Sequence, residues 1–505
     1  MKRFIIYLIM VLQLVACDAM LDVEPEIKTT YTNYFKGEKD AAALLYDINA
    51  SLFNSLYSED QRHEIIGLKA DKINAWDYDN IRNLVPDVYK NECSWSRYYG
   101  LIYSANVILD NAYRFTDIDE ERLEYYKRQA CFVKGFSYFQ VARQWGDAPI
   151  VPNSTIVAAF PREKVTKVLE EAIRNAEIAL ELPRFEDLVD EHGAKITAKQ
   201  YGCRGAATAL LAHIYAWRAG LLGDNKDWEK AERYCTEIID GKVGNYKLAE
   251  NPAEVCKSVM KGNSAEGIFE GEYYLQGDRV FMYKPCVATT VFLTYPVKAD
   301  DLPTTTTRFE IYKTTVKEIY KEGDRRRDAY FFKIDSVYMN PSGEEIPVKK
   351  AFLYKWNYSV YRYDKYSQKE VYKTQDVNRI VWRLADIVLL RAECRARLGA
   401  GNAADDLNEI RKRAYGNYDH NYTAAEGDLR YVIFKEREKE LLFEGHRFYD
   451  VMRNGYWKTE LTGVYSRMSE AEFNLGAQYY PVHGNAFEKN DLMRQNEYWQ
   501  SKGIK

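Results

Sequence analysis

Two carboxylates and two guanidinium groups recur at helical spacing close to the C-terminal end of the 505-residue chain. Within Leu429–Trp457, at steps of three and four residues, the charged positions are Arg437, Glu440, Glu444 and Arg447. Paired carboxylates can perform general acid–base catalysis, so a catalytic role for Glu440 and Glu444 is one interpretation. The same four charges also suit a buried ion-pair network.

The ion-pair network is the interpretation that the pattern favours. Ile433 and Val451, at the two ends of the stripe, are apolar, which indicates that this side of a helix faces the protein core. Buried charges persist only when they are paired and hydrogen-bonded, because each unpaired ion costs several kcal/mol of desolvation. The sequence therefore predicts one long helix over Leu429–Trp457 that is clamped to its neighbours by Arg437, Glu440, Glu444 and Arg447.

A second group of residues suits ligand binding. The segment Lys69–Asn80 has neither helical nor strand periodicity, which indicates a loop, and loops commonly carry binding residues. Its candidate ligand-binding residues are Asp71, Trp76, Asp77, Tyr78 and Asn80. Aromatic rings stack on apolar ligand faces, and the short polar side chains bond to hydroxyl or amide groups. Trp356, in the segment WNYSVYRY, is a further candidate, although alternating aromatic residues also suit the core of a sheet.

Composition excludes several classes of function. The chain has 71 basic and 75 acidic residues, a net charge of −4 and no basic stripe, so no nucleic-acid partner is expected. Its cysteines include no C-x-x-C pair and its six histidines have no metal-binding spacing, so neither a metal site nor a cofactor is predicted. The 42 tyrosines suit a surface that grips a ligand by stacking while it stays wet.

The elements that must position these residues are mostly helical. Amphipathic patterns predict about four helical hairpins, which begin near Ser94, Arg162, Thr197 and Trp382. The motif W-x-x-A-x-x-Y at residues 228–234 resembles the first helix of a tetratricopeptide unit. Between the hairpins, Asn251–Asn378 is rich in Tyr, Thr, Gly and Pro and contains β-prone runs. We therefore predict a mostly α protein, with a tetratricopeptide-like helical-hairpin scaffold and a loop- and β-containing variable insertion.

The N-terminus predicts a secreted and lipid-anchored protein. A basic pair precedes the apolar run Phe4–Ala16, which is too short to span a bilayer and is typical of a secretory leader. The run ends in LVAC, which resembles the bacterial lipobox, so Cys17 is expected to become the acylated first residue of the mature chain. Acyl chains hold to a membrane through about 0.8 kcal/mol per buried methylene.

Several segments together resemble the RagB/SusD family of Bacteroidetes. The string E-R-x-x-E-L-x-F-E-G-x-R-x-x-D occupies residues 436–450, and the start of the mature chain at Cys17 is similar to that of family members. The helix stop GDAPIVP at residues 146–152 is also typical of the family. The closing segment resembles the family pattern P-[IV]-P…Q-N, with His483 where the second proline is usual. The resemblance covers both ends and most helices, but not the details of the insertion.

The resemblance implies both an organisation and a function. It implies a signal peptide at 1–16, a tether at 17–37, a SusD-like helical region at 38–250, a variable ligand-face insertion at 251–378 and a C-terminal RagB/SusD helical region at 379–505. Family members are surface lipoproteins that bind nutrients. The expected protein is therefore a non-enzymatic outer-membrane lipoprotein, facing the cell exterior, that passes an oligosaccharide or peptide to a SusC-like TonB-dependent transporter.

Two other classes of function remain open. A lipid-anchored glycoside hydrolase would need two carboxylates about 5–10 Å apart on the ligand face, and the sequence nominates no such pair. A tetratricopeptide-type adaptor would bind the tail of another protein. The aromatic insertion argues against a pure scaffold of this kind, because solenoids keep their repeats contiguous.

Overall fold

The structure is a computed structural model, and it describes residues 34–56, 73–74, 80, 82–89, 93–272, 292–299, 301–307, 309–340 and 342–504. The predicted lipidation residue Cys17 lies outside these ranges. The same holds for four of the predicted ligand-binding residues, Asp71, Trp76, Asp77 and Tyr78. Asn80 is described, and it is exposed.

Helices make up most of the regular structure. The first nine are α1 (Glu38–Leu56), α2 (Pro86–Tyr89), α3 (Ser96–Asp110), α4 (Glu120–Trp145), α5 (Val165–Ala179), α6 (Arg204–Leu222), α7 (Asn225–Ile239), α8 (Pro252–Glu254) and α9 (Lys313–Ile319). The others are α10 (Arg325–Tyr330), α11 (Leu384–Leu398), α12 (Ala403–Tyr415), α13 (Leu429–Glu440), α14 (Arg447–Asn454), α15 (Trp457–Glu460), α16 (Glu470–Asn474) and α17 (Glu497–Ser501). None within the described ranges is both long and apolar enough to cross a bilayer.

The strands are short and pair two by two, always antiparallel. They are β1 (Ile73–Asn74), β2 (Gly267–Gly271), β3 (Glu310–Ile311), β4 (Phe331–Phe332), β5 (Tyr338–Met339), β6 (Glu345–Ile346), β7 (Phe352–Leu353), β8 (Ser359–Asp364), β9 (Lys369–Gln375) and β10 (Arg379–Arg383). The pairs are β1–β3, β2–β10, β4–β7, β5–β6 and β8–β9. All but β1 lie between α8 and α11. Strand β10 begins at Arg379, directly after the predicted insertion 251–378, but it pairs with β2 inside the insertion, so β10 is counted with the insertion from here on.

The scaffold is a continuous row of helices. Helices α3 to α7 each pack on the next, and α7 packs in turn on α11, which forms a hairpin with α12. The row is therefore contiguous in space although residues 240–383 separate α7 from α11 in the chain. The prediction of a mostly α, tetratricopeptide-like scaffold with a β-containing insertion is confirmed.

Local sequence explains why the hairpins α6–α7 and α11–α12 turn sharply. Each first helix ends at a glycine in the left-handed region, Gly223 at φ +71° and Gly399 at φ +72°, which is a conformation that glycine adopts without strain. An Arg–Asp pair then braces each hairpin through two hydrogen bonds of 2.6–2.9 Å, namely Arg218–Asp227 and Arg391–Asp406.

The prediction of one long helix over Leu429–Trp457 is wrong. Helix α13 ends at Glu440, a turn follows, and α14 begins only at Arg447. Within the turn, Phe443 has φ +60° and Gly445 has φ +92°, which are left-handed values that interrupt a right-handed helix. The cause lies in the contacts that the end of α13 makes with the insertion.

A network of buried charges joins the insertion to the C-terminal helices, and we call it the ion-pair junction. Its five acids and five bases are at most 7% exposed: Glu266, Asp324, Glu436, Glu440, Glu444, Arg326, Lys355, Arg383, Arg411 and Arg413. Equal numbers of opposite charges, all paired, satisfy the condition under which ions persist in a core.

Glu440 ties three separate elements together. Its Oε1 accepts a hydrogen bond of 2.6 Å from Arg413 of α12 and lies 2.9 Å from Nη1 of Arg383, the last residue of β10. Its Oε2 accepts a bond of 3.3 Å from Arg326 of α10. One carboxylate therefore fixes the positions of a scaffold helix and of two elements of the insertion.

Glu444 and Glu266 extend the junction. Glu444 accepts a bond of 2.6 Å from Lys355 and two bonds of 2.8 Å from Arg383, a bidentate pairing that fixes orientation as well as distance. Glu266, which directly precedes β2, accepts bonds of 2.6 Å from Arg383 and 2.8 Å from Arg413. The pairing of β2 with β10 brings Glu266 and Arg383 together.

The same cations explain why α13 ends where it does. Lys355 donates to the carbonyl oxygens of Glu440 and Leu442 at 3.3 and 3.1 Å, and Arg383 donates to that of Glu440 at 2.9 Å. These carbonyls would otherwise accept from the next helical turn. Cations at the C-terminus of a helix are also favoured by its dipole. The helix therefore stops because side chains from the insertion cap it.

The other two predicted charges, Arg437 and Arg447, pair outside the junction. Arg437 is 1% exposed and bonds to Asp386 at 2.7 Å and Asp450 at 2.9 Å, which links α13 to α11 and α14. Arg447 is also buried, and it bonds to Glu460 at 2.5 Å. All four charged residues are thus buried in the core, but they form ion pairs with different elements of the structure.

The cations of the junction control its protonation. Burial alone would raise the pKa of a carboxyl group, but Arg383 outweighs burial and lowers the pKa of Glu444 to about 2. Burial is likewise outweighed by Arg326 at Glu436, whose pKa falls to about 2. The pKa of Glu440 also lies well below its ordinary value for the same reason. All three therefore remain ionised in the folded protein at neutral pH.

Removing one partner of these pairs should destabilise the fold strongly. We expect Glu440→Ala and Arg437→Ala each to lower the free energy of unfolding by about 3–5 kcal/mol, because the opposite charge is left buried and unpaired. Urea midpoints measure this loss, and Glu470→Ala, which removes an exposed carboxylate, is the matched control. Losses below about 0.5 kcal/mol, typical of surface positions, would show that these charges are solvated.

Stability should also fall steeply in acid. The junction carboxylates stay ionised in the folded state, whereas in the unfolded chain they become protonated below an ordinary pKa of about 4.3. Unfolding then takes up protons, so stability is complete above about pH 5 and is lost progressively as the pH falls towards 2. Urea midpoints from pH 7 to pH 3 test this, and a midpoint that stays constant would contradict it.

Candidate functional site

The carboxylate pair that suggested catalysis does not have the properties of a catalytic site. Glu440 and Glu444 are 1% and 2% exposed, so a substrate cannot reach them. Both accept hydrogen bonds from buried cations, and both have pKa values far below the range that suits proton transfer near neutral pH. Their role is to hold the insertion on the scaffold.

The interpretation of Trp356 as a ligand-binding residue is wrong. Its side chain is 2% exposed, and its ring lies beside the buried ammonium group of Lys355, 5.4 Å from Nζ to the ring centroid. The reason is that β8 begins only at Ser359, so Trp356 precedes the strand and belongs to the segment that enters the junction. Its ring offers no face to a ligand.

The hairpin β8–β9 carries tyrosines on one side. Tyr361 is paired across the strands with Tyr372, and Tyr363 with Glu370, so these four side chains share a face. The rings of Tyr361 and Tyr372 lie 6.2 Å apart at an angle of 77°, and the Tyr363 side chain is 63% exposed. We call Tyr361, Tyr363 and Tyr372 the tyrosine ribbon.

Hydrogen bonds at the hydroxyl groups fix two of these rings. The Tyr361 hydroxyl donates to the carbonyl oxygen of Val297 and accepts from the backbone N–H of Ala299, both at 3.2 Å. The Tyr372 hydroxyl accepts a bond of 3.3 Å from Gln375. Rings held in this way lose little freedom when a ligand stacks on them, which makes the ribbon a preorganised surface.

A lysine completes the edge of the ribbon. Nζ of Lys298 lies 5.7 Å from the ring centroid of Tyr372, within the range of a cation–π contact. Burial lowers the pKa of Lys298, and Asp301 partly opposes that effect. The ribbon thus combines stacking surfaces with a donor that could bond to a ligand oxygen.

The predicted binding loop is anchored to the insertion through a short strand pair. In this loop Ile73 and Asn74 form β1, which pairs with Ile311 and Glu310 of β3. Residues 297–299, which hold the ribbon, lie a short distance before β3 in the chain. The backbone of Asn80 accepts a bond of 3.0 Å from Val85. Ligand binding by Trp76 and Tyr78, which lie outside the described residues, stays a prediction.

The candidate ligand-binding residues predicted from the sequence do not include the ribbon, although the sequence contains a local signal for it. Alternation within WNYSVYRY groups Trp356 with Tyr358 only if the strand includes them, and the strand instead begins at Ser359. The signal is the turn at the end of β8, where the Asp364 side chain accepts from the backbone N–H of Ser367 at 3.0 Å. An Asp-initiated turn between two β-prone runs indicates a hairpin, and it assigns Tyr361 and Tyr363 to one face.

Comparisons with known proteins agree with this architecture. One family model, described as the SusD family, matches residues 272–499. Another, described as "Starch-binding associating with outer membrane", matches residues 19–216. The SusD-like protein P25 of Formosa agariphila is 24% identical over an alignment of 514 positions, which covers 90% of each chain. The SusD-like protein P38 of the same organism is 24% identical and covers 87% of this chain and 88% of its own.

Solved structures show the same fold. The crystal structure of a SusD homolog from Bacteroides thetaiotaomicron has a TM-score of 0.73 at 24% identity, covering 92% of this chain and 98% of that chain. The surface glycan-binding protein A from Bacteroides fluxus has a TM-score of 0.68 at 19% identity, covering 91% and 99%. These structures show that the fold is shared. The two family models span most of the sequence between them, and they show that the chain belongs to the RagB/SusD family.

Proposed function

We propose that the protein is a non-enzymatic binding lipoprotein of the outer membrane that captures an oligosaccharide at the cell surface and passes it to a SusC-like TonB-dependent transporter. The observation that carries the proposal is the tyrosine ribbon, in which the exposed ring of Tyr363 shares a face with the half-buried rings of Tyr361 and Tyr372, which are held by their hydroxyl groups. It is supported by the family model described as starch-binding and associated with the outer membrane, and by the similarity to a surface glycan-binding protein.

The mechanism is stacking on rings that do not have to reorganise. The C–H faces of sugar rings are apolar and pack on tyrosine, while their hydroxyl groups bond to water and to polar side chains at the edge. Tyr363 would make the first contact because it is the most exposed ring of the ribbon. In this proposal the loop residues Asp71, Trp76, Asp77, Tyr78 and Asn80 contribute a second contact surface near β3.

The polar groups at the ribbon favour binding over hydrolysis. Glycoside hydrolysis ordinarily uses two carboxylates that flank the scissile bond. On the tyrosine side of the hairpin β8–β9, which is fully described, the cross-strand pairs place a single carboxylate, that of Glu370. Asp364 belongs to the opposite face, and its carboxylate accepts from backbone amides of the turn.

Loss of the exposed ring should weaken ligand binding without unfolding the protein. We expect Tyr363→Ala to reduce oligosaccharide affinity by about 1–3 kcal/mol, by analogy with base–aromatic stacking, while the melting temperature barely moves because the ring is 63% exposed. Tyr103→Ala, which removes a similarly exposed tyrosine from α3 (57%), is the matched control.

Isothermal calorimetry against a panel of oligosaccharides and oligopeptides, with thermal melts of the same variants, makes the measurement. A glycan that loses affinity only in Tyr363→Ala supports the proposal. If a glycan binds the parent protein, Tyr363→Ala and Tyr103→Ala with the same affinity, the ribbon is not part of the binding site. A peptide that binds in place of any glycan, and depends on Tyr363, would change the ligand class but keep the site.

A further inference from the structure

The loop between α4 and α5 presents an apolar tip to solvent. Residues 149–161 contain no charged side chain, and five consecutive apolar residues, Ile156 to Phe160, occupy its outer part. Val157 is fully exposed and Ile156 is 46% exposed. We call Ile156–Phe160 the apolar tip. Contiguous exposed apolar residues are uncommon on soluble domains and usually mark a contact surface.

The tip is held in this position by polar contacts at its base. The backbone N–H and the hydroxyl of Ser154 donate to the Asp110 carboxylate at 2.6 and 2.7 Å. The Asn153 side chain accepts from the backbone N–H of Ile156 at 3.0 Å, and Asn490 donates to the carbonyl oxygen of Phe160 at 3.0 Å. The loop is therefore built to display apolar side chains instead of folding them into the core.

The tip lies at the end of the molecule where the N-terminal tether enters. Asp110, which holds the loop, is the last residue of α3. Shortly after Asp110 in the chain, the ring of Phe115 packs on that of Phe35, with centroids 5.7 Å apart. The backbone N–H of Asp117 donates to the carbonyl oxygen of Lys36 at 2.9 Å. Residues 35–36 belong to the end of the segment 17–37, whose first residue is the expected lipidation site.

Exposed aromatic surface accompanies the tip at this end. Tyr113, between Asp110 and Phe115, is 83% exposed. Tyrosine is enriched where proteins meet the boundary between lipid headgroups and acyl chains, because its ring is apolar and its hydroxyl remains in contact with water. An uncharged apolar loop and an exposed tyrosine, both next to the C-terminal end of α3, have the composition of a membrane-surface contact.

We infer that the apolar tip and Tyr113 contact the lipid surface of the membrane that holds the lipid anchor. The inference rests on the proposed acylation of Cys17, because the tether brings this end of the protein to the bilayer. A tether alone leaves the protein free to rotate over the membrane. A second contact at the tip limits that rotation and gives the scaffold a defined orientation above the surface.

Charges nearby set the depth of the contact. Asp117 and Asp119, at the start of α4, are exposed carboxylates, and burying an ion in lipid is costly. The contact is therefore restricted to the uncharged tip and to Tyr113, at the level of the headgroups. The remainder of this end of the scaffold stays in water.

A fluorescent label at the tip tests the inference. The full-length lipidated protein carries an environment-sensitive nitrobenzoxadiazole label on Val157→Cys, and the matched control carries it on Val337→Cys, a valine of the insertion that is 60% exposed. The parent protein treated with the same reagent gives the background from native thiols. Each protein is reconstituted on vesicles of phosphatidylcholine, phosphatidylethanolamine and phosphatidylglycerol.

The label at position 157 should shift its emission to shorter wavelength on vesicles, and lipids with a spin label close to the headgroup should quench it. The label at position 337 should behave as in water. A label at position 157 that stays aqueous on vesicle-bound protein overturns the inference and leaves the anchor standing. Shielding that appears only when the partner transporter is added also overturns it, and assigns the tip to a protein contact.

The anchor is tested separately by Cys17→Ala. If this variant and the parent protein are retained equally by vesicles, then acylation of Cys17 does not hold the protein on the membrane. That result removes the premise of the inference and the lipoprotein part of the proposed function together. If vesicles retain the parent protein but not Cys17→Ala, the lipid anchor is supported, and the fluorescence result then decides whether the apolar tip contacts lipid.

Discussion

The pairing of Glu440 and Glu444 with cations from the insertion is the interaction on which the rest of the structure depends. Among the residues that the structure describes, the strands of the insertion associate in pairs, and a two-stranded hairpin has little stability of its own in water. The position of the insertion is set by Arg326, Lys355 and Arg383. Their side chains bond to both carboxylates and to helix carbonyl groups at the end of α13. The insertion is thus held on the scaffold through charge instead of through a larger sheet.

This arrangement connects stability with function. Because the junction is buried and every charge in it has partners, the loss of one ion leaves others uncompensated. The insertion therefore cannot shift without breaking several pairs at once. A fixed insertion keeps the segment 297–299 in place, and that segment holds the Tyr361 hydroxyl from two sides. The proposed binding would benefit from this arrangement, because rings that are already positioned cost little entropy when a ligand stacks on them.

Sequence reasoning succeeded where the cause of a structure is local. Helical periodicity and glycine stops define the hairpins, and the spacing of Arg437, Glu440 and Glu444 between apolar residues indicates burial. The turn after Glu440 could not be predicted in this way, because its cause is distant: Lys355 lies 85 residues away from the carbonyl it caps. The prediction that Trp356 binds the ligand is wrong for a related reason, since alternation assigns a face only once the first residue of the strand is known.

The most direct test of the junction is a double-mutant cycle between Lys355 and Glu444, 89 residues apart in the chain. Lys355→Met, Glu444→Gln and the double variant are compared with the parent protein by urea unfolding. If the insertion is clamped through this pair, the double variant loses less stability than the two single variants together, with a coupling energy of about 1–3 kcal/mol. Losses that add within about 0.3–0.5 kcal/mol would show that the two charges act independently, and would contradict the clamp.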